Sequence, residues 1–308
     1  MSRLLAVDWG SSRLRAALLD DEGRVLDRRS AQSGMLNVQQ SGFGEVFESQ
    51  FGDWMDVPGT RCLMAGMVGS RQGWVEAEYV ACPAGIEDFV GHLRRVAPDA
   101  SRSGRDIAIV PGASCIVDDI PDVLRGEEVK MLGVLDLLGV ESAVVLSPGT
   151  HSKWMTVENG RLARFATAMT GEVYGLLRRE SILARSMPAQ TEDALDGPVF
   201  DDAVRRALRS CSLLQTAFSV RTRALFGELP PASLASALSG LVIGEELRCR
   251  HIEEGQAVAL VGAPALTERY ARALRLCGAE VRTFGEEAVW RGLWAIDRKR
   301  ARREGGGA

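Results

Sequence analysis

"LLAVDWGSSRLRAALLDDEGRVL", residues 4–26, is the stretch on which the fold turns. An apolar run ends in Asp8-Trp9-Gly10-Ser11-Ser12, and the chain then continues without a helix. Leu14, Ala16 and Leu18 alternate with Arg13, Arg15 and Ala17, the period of a half-buried strand. Glu22-Gly23 closes a second turn before Val25 and Leu26. The stretch predicts strand, turn, strand, turn, strand. The glycine-rich dinucleotide turn and the phosphate loop with Gly-Lys-Ser/Thr both need a helix after the turn, so neither applies. A glycine hairpin remains, in which small residues let the backbone approach an anion.

The pattern occurs a second time. "AVVLSPGTHSKWMTVENGRLARF", residues 143–165, is again an apolar strand, a glycine turn with small hydroxylic residues, a strand, a turn and a third strand. Asn159-Gly160 is a strong hairpin signal, because both central positions of a type I′ turn need φ > 0. Gly10 and Gly149 are separated by nearly half the chain, and no third copy is evident. Two related domains, each presenting one glycine hairpin, is the simplest account. Backbone N–H groups around Gly10 and Gly149 can form anion-binding concavities. Ser11, Ser12, Thr150 and Ser152 add hydroxyl donors, and Lys153 adds a point charge. Asp8, at a strand end, is placed to hold Mg²⁺ directly or through water, since that ion takes carboxylate and phosphate oxygens. One glycine–serine turn alone reads as an ordinary hairpin. Two matched copies, one with an Asp and one with a Lys, point to a nucleoside triphosphate.

The bulk numbers agree with such a protein. A chain of 308 residues is about two domains, and 46% hydrophobic with 25% charged residues is ordinary for a globular fold. A net charge of −4 leaves no general basic surface, so no nucleic-acid partner is expected. The basic cluster Arg298, Lys299, Arg300, Arg302 and Arg303 reads as a solvated, fraying C-terminus. Six cysteines without paired spacing and three histidines give a zinc site no support, and reduced thiols in a cytosolic protein is the plain reading. Asp8 and Arg13 interrupt any apolar signal core, and no membrane-spanning run is present. A cytoplasmic protein with no membrane partner is expected.

Paired strand–glycine–strand hairpins on duplicated domains resemble the actin, hexokinase and heat-shock ATPase superfamily. Within it, "VDWGSSRLRAALLD", "MVGSRQGWVEAEYVACPAG", "VLRGEEVKMLG", "LSPGTHSKWMTVENG" and "TAMTGEVYGLL" resemble the 2-dehydro-3-deoxygalactonokinase family, in order over nearly the whole chain. The MVGSRQGW and SPGTHSKW runs are the specific part of the likeness. The resemblance implies an α/β protein of two duplicated actin-like ATPase (ribonuclease H-like) domains with an interdomain cleft. The expected spans are 1–115 with a returning helix at about 286–303, then 116–285, and a disordered tail at 304–308. It also implies phosphorylation of 2-keto-3-deoxygalactonate on its 6-hydroxyl by ATP with Mg²⁺, in galactonate catabolism. Phosphate contacts would come from Gly10, Ser11, Ser12, Gly149, Thr150 and Lys153, with Asp8 at the metal. A homodimer is compatible with this reading.

Three further segments carry candidate residues. "LMAGMVGSRQGW", residues 63–74, sets Ser70, Arg71 and Gln72 among glycines, where a guanidinium can hold a small carboxylate bidentately. The plainer reading is a tight connection with a surface arginine. With His151 and Ser152, these three are the expected substrate contacts under the resemblance. "GEEVKMLGVLDLLG" has helical spacing at Val129, Leu132, Leu135 and Leu138, and acidic residues in a first turn favour the macrodipole in any case. In related sugar kinases an acidic residue opening this helix is the base, a place that Glu127 matches best, with Glu128 the neighbouring alternative. The other glutamate is expected to be a solvated charge. "AVALVGAPALTERYARALRLCGAEVRTF" is strand, turn, helix, strand, and in the superfamily that turn touches the adenosine, which points to Gly262 and Ala263. The helix around Val204, Leu208 and Cys211 reads as core or interface, and Trp9 and Trp154 are equally packing or ligand contacts. The rivals to a sugar-acid kinase are a kinase for another sugar, a non-enzymatic ATP-driven switch and a sugar-sensing regulator.

Overall fold

The computed structural model describes residues 3–39, 42–97, 104–188, 194–210 and 212–305. The opening stretch forms β1 (Arg3–Trp9), β2 (Leu14–Leu19) and β3 (Val25–Ala31), an antiparallel meander in which Asp8 lies opposite Arg15. There follow α1 (Phe43–Met55), β4 (Thr60–Ala65), β5 (Val80–Ala81), β6 (Ala84–Gly85), α2 (Ile86–Gly91), β7 (Arg94–Arg95) and β8 (Asp106–Ile109). Next come β9 (Ala113–Val117), β10 (Ile120–Leu124) and α3 (Glu127–Leu138). β4 pairs with β1 and β8 with β4, both in parallel, so the sheet order is β3-β2-β1-β4-β8-β7.

The second copy begins with β11 (Ala143–Ser147), β12 (Ser152–Glu158) and β13 (Arg161–Ala168). It continues through α4 (Thr170–Glu180), α5 (Gly197–Arg209), α6 (Leu213–Leu225), α7 (Leu234–Arg248), β14 (Ala257–Val261), α8 (Pro264–Leu276), β15 (Glu280–Phe284) and α9 (Glu287–Gly305). Its sheet order is β15-β14-β11-β12-β13-β6, with β14 parallel to β11 and β15 parallel to β14. Each sheet therefore sets a three-stranded meander beside two parallel strands, as β3-β2-β1-β4-β8 and as β13-β12-β11-β14-β15. The duplication read from two glycine turns is present in the strand order.

The chain divides into two compact units, residues 1–143 with 155–166 and 286–308, and residues 144–154 with 167–285. Residues 116–143, which the sequence reading joined to the second domain, sit in the first. The cause is the contact of α3 with α9. A Cβ on Gly133 would fall 1.7 Å from the Ala288 carbonyl oxygen, and one on Gly292 would fall 1.9 Å from that of Val129, so the two helices meet backbone to backbone. The core of the first unit is aromatic, with Trp9 against Phe43 and Trp74, and Phe51 stacked on Trp54. The second unit has two apolar clusters, one around Phe200, Leu260 and Tyr270 and one around Leu234, Leu238 and Val220.

In the basic C-terminal segment Arg298, Arg302 and Arg303 are exposed as expected, and Lys299 and Arg300 depart from it. Arg300 is buried and donates to Asp106 at 2.7 Å, and Lys299 pairs with Glu87 at 2.5 Å. A helix laid across its own unit finds carboxylates that a linear reading cannot see. Glu304 and Gly305 belong to α9, while residues 306–308 and Cys211 lie outside the described residues.

Candidate active site

In the first unit, the turn after β1 is held from behind. The Met35 and Leu36 N–H groups donate to the Gly10 and Ser11 carbonyls at 2.9 and 3.0 Å, and the Trp9 indole N–H donates to the Ser33 carbonyl at 2.9 Å. Trp9 is fully buried, which makes it packing. Gly10 has no positive φ, and a Cβ there would approach nothing closer than 3.5 Å. Neither conformation nor packing requires a glycine at this position. Ser11 is half-buried and Ser12 exposed beside it. Asp8 is almost buried, with Oδ2 accepting from Arg15 at 2.5 Å, and among the described residues Oδ1 accepts no hydrogen bond.

Two other segments reach Asp8. Gly66 ends β4 with φ +94°, and a Cβ there would lie 2.8 Å from the Trp9 carbonyl and 3.4 Å from Asp8 Oδ1. Gly126, just before α3, has φ +100°, and its Cβ would lie 3.1 Å from the Gly66 Cα. This close approach of three backbones needs glycine at both positions, and it brings the start of α3 beside Asp8. Glu127 is half-buried and accepts the Arg125 N–H at 3.1 Å. Glu128 is fully buried: Oε2 accepts the Gly126 N–H at 2.7 Å, and Oε1 has no partner. Burial first, and the Glu127 charge second, push its carboxyl up to about 8. The expectation that the second glutamate is solvated is thus corrected, since Glu128 is fully buried.

The 66–74 loop is pinned by Trp74, which packs on Trp9 and Phe47, while the Ser70 hydroxyl donates to Met35 sulfur at 3.3 Å. Arg71 and Gln72 are exposed at its tip, and among the described residues Arg71 pairs only with Glu76, at 3.5 Å.

In the second unit, Gly149 repeats the behaviour of Gly10: no positive φ, and 3.7 Å of room for a Cβ. The start of α4 rests on this turn. A Cβ on Gly171 would fall 2.3 Å from the Gly149 carbonyl oxygen, and the Glu172 N–H donates to the Thr150 carbonyl at 2.9 Å. His151 is exposed, with Nε2 at 2.6 Å from Glu172. Ser152 and Lys153 lie in β12 beyond the turn. Ser152 is fully buried against the Tyr270 hydroxyl at 2.8 Å, and Lys153 is buried with its ammonium on Thr167 at 2.6 Å. β12 is covered on both faces at this point, so neither side chain projects from the turn. Trp154, also buried, donates to Glu246 at 2.6 Å and is packing.

Beside this turn is a pocket of about 650 Å³, lined among others by Gly149, Tyr174, Val242, Leu266, Arg269 and Tyr270. Its size is in the range of small-molecule and cofactor sites. Gly262 and Ala263 do not line it: Gly262 abuts Pro148, and Ala265, Leu266, Arg269 and Tyr270 of α8 form the wall instead. Sequence reading missed these residues and those of α7. The available signal was the all-round apolar character of α7, which marks a buried helix and hence a lining surface.

The description "2-keto-3-deoxy-galactonokinase" belongs to a family model that matches residues 8–296. The chain belongs to the 2-keto-3-deoxy-galactonokinase family. A probable 2-dehydro-3-deoxygalactonokinase of Rhizobium meliloti (strain 1021) is 35% identical over 95% of this chain and 96% of that protein. The 2-dehydro-3-deoxygalactonokinase of Escherichia coli (strain K12) is 32% identical over 96% and 97%. A Sinorhizobium meliloti crystal structure, of a protein provisionally named 2-dehydro-3-deoxygalactonokinase, matches with TM-score 0.88 at 33% identity, covering 97% of this chain and 99% of that one. The activator of the 2-hydroxyisocaproyl-CoA dehydratase from Clostridium difficile shares the fold alone, at TM-score 0.54 and 12% identity. As a member of the 2-keto-3-deoxy-galactonokinase family, the protein is an ATP-using carbohydrate kinase. Among the described residues, no helix is long and apolar enough to cross a membrane.

Proposed function

We propose that the protein transfers the γ-phosphoryl group of ATP to the 6-hydroxyl of 2-dehydro-3-deoxygalactonate, in the cytoplasm, as a step of galactonate catabolism. The family supports the substrate class, and one structural observation supports the assignment of the hairpins. Gly10 and Gly149, at equivalent turns of the two copies, are both glycines that the fold itself does not need. In this reading the pocket of the second unit takes the adenosine, and the Gly149-Thr150 turn takes phosphate oxygens. The turn at Gly10, Ser11 and Ser12 serves the transferred group.

Asp8 offers an uncommitted carboxylate oxygen, which fits Mg²⁺; that ion would neutralise charge on the phosphate oxygens. Glu127, less buried than Glu128, is the base that accepts the hydroxyl proton as the phosphoryl group leaves ADP. Arg71, exposed and loosely held, binds the carboxylate of the sugar acid, with Ser70 and Gln72 beside it. His151, exposed in the second turn, is a further substrate contact. Catalysis is then mostly positioning and charge stabilisation.

The deciding experiment is coupled ADP release across a panel of 2-keto-3-deoxy sugar acids. ADP should form only when an acid is present, fastest with 2-dehydro-3-deoxygalactonate. Turnover without any acid would favour an ATP-driven switch, and a strong preference for another sugar would reassign the substrate.

A further inference from the structure

Glu246 is a carboxylate with no part in the chemistry above, set in a helix that is otherwise almost wholly buried. A carboxylate away from water is costly unless donors surround it. Here they do. The Trp154 indole N–H donates to Oε1 at 2.6 Å, the Tyr270 hydroxyl donates to Oε2 at 2.6 Å, and the Thr170 hydroxyl donates to Oε2 as well. With the Tyr270 proton so committed, Ser152 is the donor in its 2.8 Å contact with the Tyr270 oxygen. Every proton of the network points toward one carboxylate.

The donors come from three elements, and each reaches the nucleotide end of the proposed site. Ser152 and Trp154 are in β12, directly after the Gly149 turn. Thr170 opens α4, and the next residue, Gly171, lies against the Gly149 carbonyl. Tyr270 is on α8, and Tyr270 and Thr170 both line the pocket, whereas Glu246 does not. Trp154, Tyr270 and Thr170 are all neutral donors, so what they form with Glu246 is a hydrogen-bond network and not an ion pair. What a fully satisfied network supplies is one fixed arrangement of its members.

We infer that Glu246 is the positioning residue of the nucleotide half-site: it holds the glycine turn, the start of α4 and the pocket wall of α8 in one register, so that phosphates and nucleoside are gripped together. The inference rests on the proposal that the nucleotide occupies this pocket. Gln at 246 keeps the shape but offers one acceptor oxygen to three donors, which forces the network to reorient.

The test measures kcat, both KM values and the melting temperature for the wild type, Glu246→Gln, Trp154→Phe and Ala265→Trp. Glu246→Gln should raise KM for ATP by about 10-fold or more, the scale seen when a supporting group behind a ligand contact is lost. KM for the sugar acid should stay within about 2-fold, the split expected of lost uniform binding of one substrate. Trp154→Phe, which removes one donor, should shift KM for ATP in the same direction by less. A lowered melting temperature with KM for ATP unchanged would make Glu246 merely structural, and so would an equal rise in both KM values. If Glu246→Gln does not fold, Trp154→Phe decides, and an unchanged KM for ATP overturns the inference. Ala265→Trp fills the pocket. If it leaves ATP binding intact, the pocket assignment itself has failed, an outcome distinct from failure of Glu246 alone.

Discussion

At the start of α3, Glu127 keeps a face open to solvent while Glu128 has none, and Glu128 Oε1 is buried without a partner. The consequence is a stability that depends on pH. The unfolded chain gives up the Glu128 proton near the ordinary carboxyl value of about 4.3, whereas the folded chain holds it to about 8. Between those values the native state binds the extra proton, so the contribution of Glu128 is present below the lower value and is lost as pH rises through the upper. Melting curves of Glu128→Gln and the wild type should therefore separate between about pH 5 and pH 8. The variant should gain relative stability as pH rises, and parallel profiles would mean that Glu128 is already charged at low pH. Glu127→Gln should slow single-turnover transfer by about 10²–10⁴-fold while both substrates still bind. Unchanged transfer would send the search for the base elsewhere. Arg71→Lys keeps the charge and loses the fork, so kcat/KM for the acid should fall by roughly 10–100-fold with ATP kinetics unaltered, and an equal loss for both substrates would put Arg71 on the nucleotide.

The glycine turns are where an element acts as a unit. Both follow a buried strand, both are backed by a second segment, and both leave space above the glycine. Gly10→Ala and Gly149→Ala should hardly move the melting temperature, yet each should lower kcat/KM for ATP by about 10-fold or more, since the new methyl would occupy the space that the proposed function assigns to a phosphate. Gly66→Ala should behave oppositely, costing about 1–3 kcal/mol from its positive φ. Its contact with the Trp9 carbonyl adds to that cost. Thermal melts and ATP kinetics on the three variants would separate a ligand-facing glycine from a fold-required one. Full activity in both turn variants would remove the hairpins from the phosphate site. These turns were legible because alternation and turn chemistry are local. The pocket was not, because its lining is drawn from the Gly149 turn and from α4, α7 and α8, which are scattered along more than a hundred residues.

On the scale of the whole chain, the last helix belongs to the unit formed by the first residues. α9 buries Trp290, Leu293 and Ile296, and its Asp297 accepts a bidentate pair from Arg61 on β4 at 2.8 and 2.6 Å. Deleting residues 286–308 uncovers that face and strands Arg61, so the truncated chain should lose cooperative melting of the first unit or fail to remain in solution. A truncated protein that melts as sharply as the full chain would show α9 to be an appendage. By itself the sequence determined the two meanders, the helix at 127–138, the strand–helix–strand at 257–284 and the family. Each of these rests on periodicity, turn residues or contiguous motifs within a few tens of residues. Only the tertiary structure decided that Ser152, Lys153, Glu128 and Arg300 are buried, that α3 packs on α9, and that Glu246 gathers three elements. The physical reason is the same in each case. Burial and hydrogen-bond partners are supplied by residues remote in the chain, and no local pattern records which remote residue arrives.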